Sequence, residues 1–109
     1  MSREKGKHAE SLACSFLEEN GYTLVDSNVY SRFGEIDIIV RKNGILHFIE
    51  VKSADDYETA IQNITPAKLS KIIKTAQIYM KKVLYEGDFE FDAVIVTPQG
   101  VQMVENITL

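Results

Sequence analysis

The chain has 109 residues, a formal net charge of −4 at pH 7 and a hydrophobic fraction of 45%. This length predicts a single domain over residues 1–109, with no apolar run near the ~18 residues of a membrane-spanning helix and no signal-peptide core. A single cysteine, Cys14, excludes an internal disulfide and favours a cytoplasmic location, while the acidic charge balance argues against a simple basic nucleic-acid binder.

The first predicted element is a helix over residues 2–20, because apolar residues recur at helical spacing. Ser2 is its expected N-cap, and Asn20-Gly21 is typical of a C-terminal stop. On the helical wheel Glu10 lies at the edge of the apolar stripe, from where it can point toward a sheet. A short strand is expected at 22–25, followed by an irregular stretch at 26–33.

A β-hairpin is predicted from residues 35–41 and 45–52, because the Asn43-Gly44 pair between two apolar runs favours a two-residue type I′ turn. Side chains alternate between the two faces of a strand, and here both faces are substantially apolar. Ile36, Ile38, Val40, Ile49 and Val51 are expected on one face, and Ile39, Leu46 and Phe48 on the other. We therefore expect helices to cover both faces of the sheet.

The same register places two carboxylates opposite each other at one end of the hairpin. Asp37 is expected to face Glu50, and Glu35 to face Lys52, with all four side chains on one face. Like charges in directly opposed positions destabilise a sheet, and hard cations such as Mg²⁺ take carboxylate oxygens as ligands. The pattern thus indicates a divalent metal site. The alternatives are solvated acids at a sheet end and, for Glu35 and Lys52, a cross-strand ion pair.

Beyond the hairpin, residues 53–63 are expected to form a polar loop. Thr65-Pro66 is typical of a helix start, and the apolar stripe that follows runs to Val83. Strands are predicted at 89–97 and 101–107. The order α-β-β-β-α-β-β indicates an α/β fold with a mixed central sheet flanked by helices.

These motifs resemble those of a known nuclease superfamily. Asp37 followed by Glu50-Val51-Lys52 is similar to the D…(D/E)-x-K core of PD-(D/E)XK nucleases, and Glu10 resembles the additional helical glutamate of Holliday-junction resolvases. Gly34-Glu35-Ile36-Asp37 and Lys68 resemble the YraN-like family of small bacterial proteins, and the resemblance covers nearly the whole chain.

The resemblance implies a restriction-endonuclease-like core and metal-dependent phosphodiester hydrolysis on branched or structured nucleic acid, DNA more than RNA. It implies Mg²⁺ or Mn²⁺ held by Asp37 and Glu50, with further ligands from Glu10 and the carbonyl of Val51. Lys52 would orient or deprotonate a water or neutralise developing charge, and Glu35 would tune Lys52. Homodimers of resolvase-like relatives make a homodimer an expectation here too.

Two basic residues are candidates for substrate binding. Lys68 is predicted in the first turn of the second helix, where a lysine and a helix N-terminus together suit a phosphate, and Arg32 suits pairing with phosphate. The acidic Asp55-Asp56 pair departs from the basic residues that follow the motif in relatives. It leaves open a catalytically weak or inactive nucleic-acid-binding module of the same fold, and the acidic pI favours a second alternative, a protein-interaction module.

Overall fold

The computed structural model describes residues 3–108, with side chains from residue 6 onward. The expected cap at Ser2 lies outside this range. The described elements are α1 (Arg3–Glu19), β1 (Thr23–Ser31), β2 (Gly34–Lys42), β3 (Ile45–Ser53), α2 (Tyr57–Gln62), α3 (Pro66–Lys82), β4 (Phe89–Thr97) and β5 (Gly100–Val104). None of these helices is both long and apolar enough to cross a membrane.

The five strands form one mixed sheet in the order β1-β2-β3-β4-β5. Neighbouring strands are antiparallel except β3 and β4, which run parallel because α2 and α3 carry the chain back between them. Helix α1 packs on one face of the sheet and α3 on the other, while α2 packs beside β4. The predicted α/β fold with a mixed sheet flanked by helices is confirmed.

Two apolar layers hold the sheet between the helices, as the two apolar faces of the hairpin predicted. The α1 layer contains Ala9, Ala13, Leu17, Tyr22, Ile38, Val40, Ile49, Val51, Val94 and Val96. The α3 layer contains Ile36, Ile39, Leu46, Phe48, Ile72, Ala76, Met80 and Phe91. Burial of these side chains is the main stabilising contribution to the fold.

The predictions of an irregular stretch at 26–33 and of a polar loop at 53–63 were wrong. The stretch expected to be irregular continues β1 as far as Ser31; a register shift between Leu24 and Asp26 and a positive φ at Asn28 interrupt the alternation that sequence analysis relies on. The expected polar loop contains α2, which begins where the Asp56 carboxylate accepts a hydrogen bond from the Thr59 N–H at 2.8 Å. Asp56, the second residue of the acidic Asp55-Asp56 pair, thus serves as the N-cap of α2.

The hairpin register is confirmed from the turn as far as the pair Ile38 and Ile49, and the β2–β3 ladder then ends. Ile36 lies in the α3 layer, whereas Ile38 lies in the α1 layer, so the prediction that they share a face was wrong. The alternation fails at Asp37, which lies between them beside Asn28 of β1. Asp37 and Glu50, and Glu35 and Lys52, therefore do not form the ladder pairs that were expected.

Candidate functional site

The Asp37 side chain connects β2 to β3 just beyond the point where their backbone ladder ends. Its Oδ2 accepts a hydrogen bond from the backbone N–H of Val51 at 2.8 Å, so a side chain rather than a carbonyl joins β2 to β3 at this point. The residue is 9% exposed. A buried carboxyl group therefore lies where the β2–β3 ladder ends.

Burial raises the pKa of Asp37 to about 8, and the neighbouring carboxylate of Glu50 adds to the increase. The Val51 N–H acts in the opposite direction, while Glu10 and Glu35 raise the pKa further. Desolvation and repulsion together outweigh the hydrogen bond. Several carboxyl groups therefore surround one point, and their simultaneous ionisation is unfavourable unless positive charge is added.

Glu50 and Lys52 lie two residues apart on the same face of β3, and their Oε1 and Nζ atoms are 3.4 Å apart. Burial raises the pKa of Glu50, while the Lys52 ammonium and a hydrogen bond with Asp37 act against that increase. The ion pair described for Lys52 is with Glu50 and not with Glu35 as expected. Lys52 therefore offsets the charge of the Glu50 carboxylate.

Glu10 and Glu35 are joined by a residue that sequence analysis missed. The side-chain amide of Asn28 donates to Glu10 Oε1 at 3.0 Å and to Glu35 Oε2 at 2.9 Å. Its φ of 50° is in the left-handed region, which asparagine tolerates better than most residues. Asn28 thereby fixes the α1 glutamate beside β2, as the predicted position of Glu10 at the helix edge allowed.

A small cleft beside Glu50 carries the basic residues of the site. It is lined by Gly34, Glu35, Glu50, Lys68, Lys71 and Ile72. The predicted position of Lys68 in the first helical turn is confirmed, but the helix start is not free, because Thr65 Oγ1 accepts from the Lys68 N–H at 3.3 Å. The Lys68 ammonium donates to the Asn63 carbonyl at 3.0 Å. Arg32 is exposed and lies 4.9 Å from the Phe33 ring centre.

A second cluster, which the sequence analysis did not identify, lies on the opposite face of β3. His47 Nδ1 lies 2.7 Å from Asp92 Oδ2 and 3.5 Å from Glu90 Oε2. One ligand atom of each of these three residues lies within 4.8 Å of the others. Asp92 is fully buried, and its Oδ1 also accepts from the Asn106 N–H at 2.8 Å. The cluster could therefore hold a metal ion.

The second cluster depends on a contact between strands that are far apart in sequence. In the parallel β3–β4 ladder His47 pairs with Glu90, and Asp92 pairs with Ile49. Period-two spacing places Glu90 and Asp92 on one face of their strand, but it does not tell which strand lies beside them. The sequence does show one signal, an Asp at position 92 in an otherwise apolar run. It does not show that His47 lies beside that Asp.

Comparison with known proteins gives one consistent result. The sequence profile described as uncharacterised protein family UPF0102 matches residues 9–96. A UPF0102 protein of Sulfurimonas denitrificans is 60% identical over the full length of both chains. A second, from Wolinella succinogenes, is 51% identical over the full length of both, and one from Helicobacter pylori is 49% identical over 97% of this chain and 92% of its own. The chain belongs to family UPF0102, the YraN-like group that its motifs predict.

Proposed function

We propose that the chain is a metal-dependent phosphodiester hydrolase acting on nucleic acid. Its active site is the β2–β3 site, the group of Asp37, Glu50, Glu10 and Lys52 where the β2–β3 ladder ends. The supporting observation is the buried carboxyl group of Asp37, whose pKa is raised to about 8 beside Glu50, Glu10 and Glu35. Such an arrangement is costly in a protein with no ligand, and strongly perturbed groups of this kind concentrate at functional sites.

The donor set suits a hard divalent cation. Asp37 and Glu50 offer buried carboxylate oxygens, and Glu10, fixed through Asn28, offers another beside them. Oxygen-only sets of this kind favour Mg²⁺ or Mn²⁺ over softer metals. Asp37 and Glu50 would hold the ion, with Glu10 and the Val51 carbonyl as further candidates. When bound, such an ion polarises a phosphate and lowers the pKa of a water molecule.

Lys52 is the cationic residue within the carboxylate cluster itself. Its ammonium lies 3.4 Å from Glu50 Oε1, so the ion pair holds the positive charge of Lys52 beside that carboxylate. In that position it would orient an attacking water molecule or neutralise the charge that develops on a phosphate oxygen. Glu35 reaches the cluster through Asn28 rather than through Lys52, so its proposed role changes from tuning the lysine to raising the pKa of the acids.

We propose the cleft next to Glu50 as the surface that binds the substrate. Lys68 and Lys71 project from the first turns of α3 along this cleft, and an anionic backbone would lie against them. To bind a phosphate, the Lys68 ammonium would exchange its hydrogen bond with the Asn63 carbonyl. Arg32 is exposed on the loop between β1 and β2. DNA rather than RNA, and a branched rather than linear form, follow from the resemblance alone.

The test is cleavage of labelled nucleic acid, using a branched DNA, a linear duplex, a single strand and an RNA of matched length. We expect Mn²⁺- or Mg²⁺-dependent cleavage of at least one substrate by the native chain. Asp37→Asn and Lys52→Ala should each reduce the rate by at least about a hundredfold. Lys81→Ala, at the far end of α3, is the matched control and should retain the native rate.

The outcomes separate the alternatives. Salt-sensitive binding without cleavage, unchanged by Asp37→Asn, would favour a binding module and contradict hydrolysis. No binding of any nucleic acid at low salt would favour a protein partner, in accord with the net charge of −4. Cleavage that persists in both Asp37→Asn and Lys52→Ala would show that the site has been assigned to the wrong residues.

A further inference from the structure

The second cluster of His47, Glu90 and Asp92 differs from the β2–β3 site in chemistry and in place. It contains an imidazole nitrogen, and His47 projects from the face of β3 opposite Glu50. We propose that this cluster is a separate site for a borderline divalent metal of the zinc class. It is independent of the proposed hydrolase, so either can be wrong without the other.

The geometry already brings the three donor atoms together. His47 Nδ1 and Asp92 Oδ2 are 2.7 Å apart, and Glu90 Oε2 lies 3.5 Å from the same nitrogen. Zinc takes imidazole nitrogen and carboxylate oxygen at ~2.0–2.2 Å, and three protein ligands plus a water molecule are a common set. Small displacements would let all three atoms contact one ion. The proton shared in the hydrogen bond between His47 Nδ1 and Asp92 Oδ2 would leave to solvent as the metal takes its place.

The backbone holds two of the donors in position. Glu90 and Asp92 lie on one face of β4, and His47 is fixed beside them by the parallel ladder. The Asn106 N–H holds Asp92 Oδ1 at 2.8 Å, which leaves Oδ2 for the metal. The Tyr22 ring packs edge-on against the imidazole at 5.1 Å. Such supporting contacts orient ligands at metal sites.

A route to solvent exists on the open side. A cavity of about 220 Å³ lies over the cluster, lined by Tyr22, Lys42, Asn43, Ile45, His47, Glu90 and Glu105. Glu105 adds a further carboxylate to this lining. The one lysine of the lining, Lys42, donates its ammonium to the Asn20 carbonyl at 2.8 Å and lies over the Tyr22 ring. The net charge of the cavity therefore favours a cation.

The imidazole of His47 determines which cation the cluster prefers. Zinc, copper, nickel and iron bind imidazole well, whereas Mg²⁺ prefers oxygen ligands alone. The two carboxylate-rich regions of the chain are therefore expected to select different ions when both kinds are present. The β2–β3 site should take Mg²⁺ or Mn²⁺, and the His47 cluster should take Zn²⁺.

The test is a Zn²⁺ titration by calorimetry in an excess of Mg²⁺, on the full chain carrying Asp37→Asn and Glu50→Gln, which disables the β2–β3 site. We expect this background to bind one Zn²⁺ per chain. Adding His47→Asn should weaken binding at least about tenfold, because asparagine keeps a donor toward Asp92 but supplies no imidazole ligand. Adding Glu90→Gln should weaken it similarly. Glu86→Gln, an exposed glutamate four residues before Glu90, is the matched control.

A visible spectrum with Co²⁺ in place of Zn²⁺ provides a second readout, because its absorption bands report the ligands directly. We expect bands in the background chain and their loss with His47→Asn. No Zn²⁺ binding by the background chain would overturn the proposal. Binding that is unchanged by both His47→Asn and Glu90→Gln would overturn it as well. Thermal unfolding of each variant checks that the loss is not a loss of fold.

Discussion

The β2–β3 site and the His47 cluster both place carboxylates inside the sheet, but they satisfy them differently. Asp37 has one backbone N–H, a hydrogen bond with the Glu50 carboxyl group and two further carboxylates nearby. Asp92 has an imidazole on one oxygen and a backbone N–H on the other. The first arrangement opposes folding until a cation is added, whereas the second contributes to the fold as it is. A buried acid therefore indicates a ligand site most strongly when its neighbours do not balance it.

The largest expected effect comes from removing Asp92. Asp92→Ala removes the hydrogen-bond partner of His47 Nδ1 and the acceptor of the Asn106 N–H, and the Asp92 position is fully buried. Loss of a buried hydrogen-bond partner typically costs ~1–3 kcal/mol of unfolding free energy for each group left unpaired, or about 2–6 kcal/mol for the two. Urea unfolding measures the change. If the unfolding free energy falls no more than for an ordinary surface substitution, Asp92 does not stabilise the fold. The contrast between Asp92 and Asp37 would then be wrong.

The opposite sign is expected for Asp37. In metal-free buffer at pH 7, Asp37→Asn should increase the unfolding free energy by roughly 1–3 kcal/mol, because it removes an ionisable group from a buried site. The amide can still accept from the Val51 N–H. Asp26→Asn, an exposed aspartate of β1, is the matched control with no gain expected. A decrease for Asp37→Asn would contradict the repulsive cluster.

The pH dependence of stability follows from the same carboxyl group. Its pKa is raised from 3.8 to about 8 in the folded chain, so folding takes up a proton between those values. The stability of the metal-free native chain should fall as pH rises through that window. The fall should be smaller in Asp37→Asn. Denaturation curves from pH 5 to pH 8 give the slopes, and equal slopes would show that another group dominates.

The smallest effect is expected from the bridge between Glu10 and Glu35. Asn28→Gly keeps the left-handed φ of 50° but removes the amide that holds both glutamates. We expect Mn²⁺ affinity to fall by about tenfold, as for other contacts that orient metal ligands. Unfolding free energy should change little. Unchanged Mn²⁺ affinity would exclude Glu10 from the site.

Sequence patterning was informative where contacts are local. The Asn43-Gly44 turn fixed the register from Lys42 and Ile45 to Ile38 and Ile49, and Thr65-Pro66 marked the start of α3. Sequence patterning gave wrong predictions where the two-residue alternation of a strand is interrupted. The left-handed Asn28 concealed the second half of β1, and the failure of alternation at Asp37 moved Ile36 to the other layer.

The residue types and their spacing determined the fold class, because turn chemistry, helix caps and apolar periodicity act between neighbours in the chain, and the motifs indicated the family. Tertiary structure alone decided that β3 runs parallel to β4, that His47 meets Asp92, and that Asn28 joins Glu10 to Glu35. Each of these contacts joins different elements of the fold, and the packing of the whole sheet between α1 and α3 sets them.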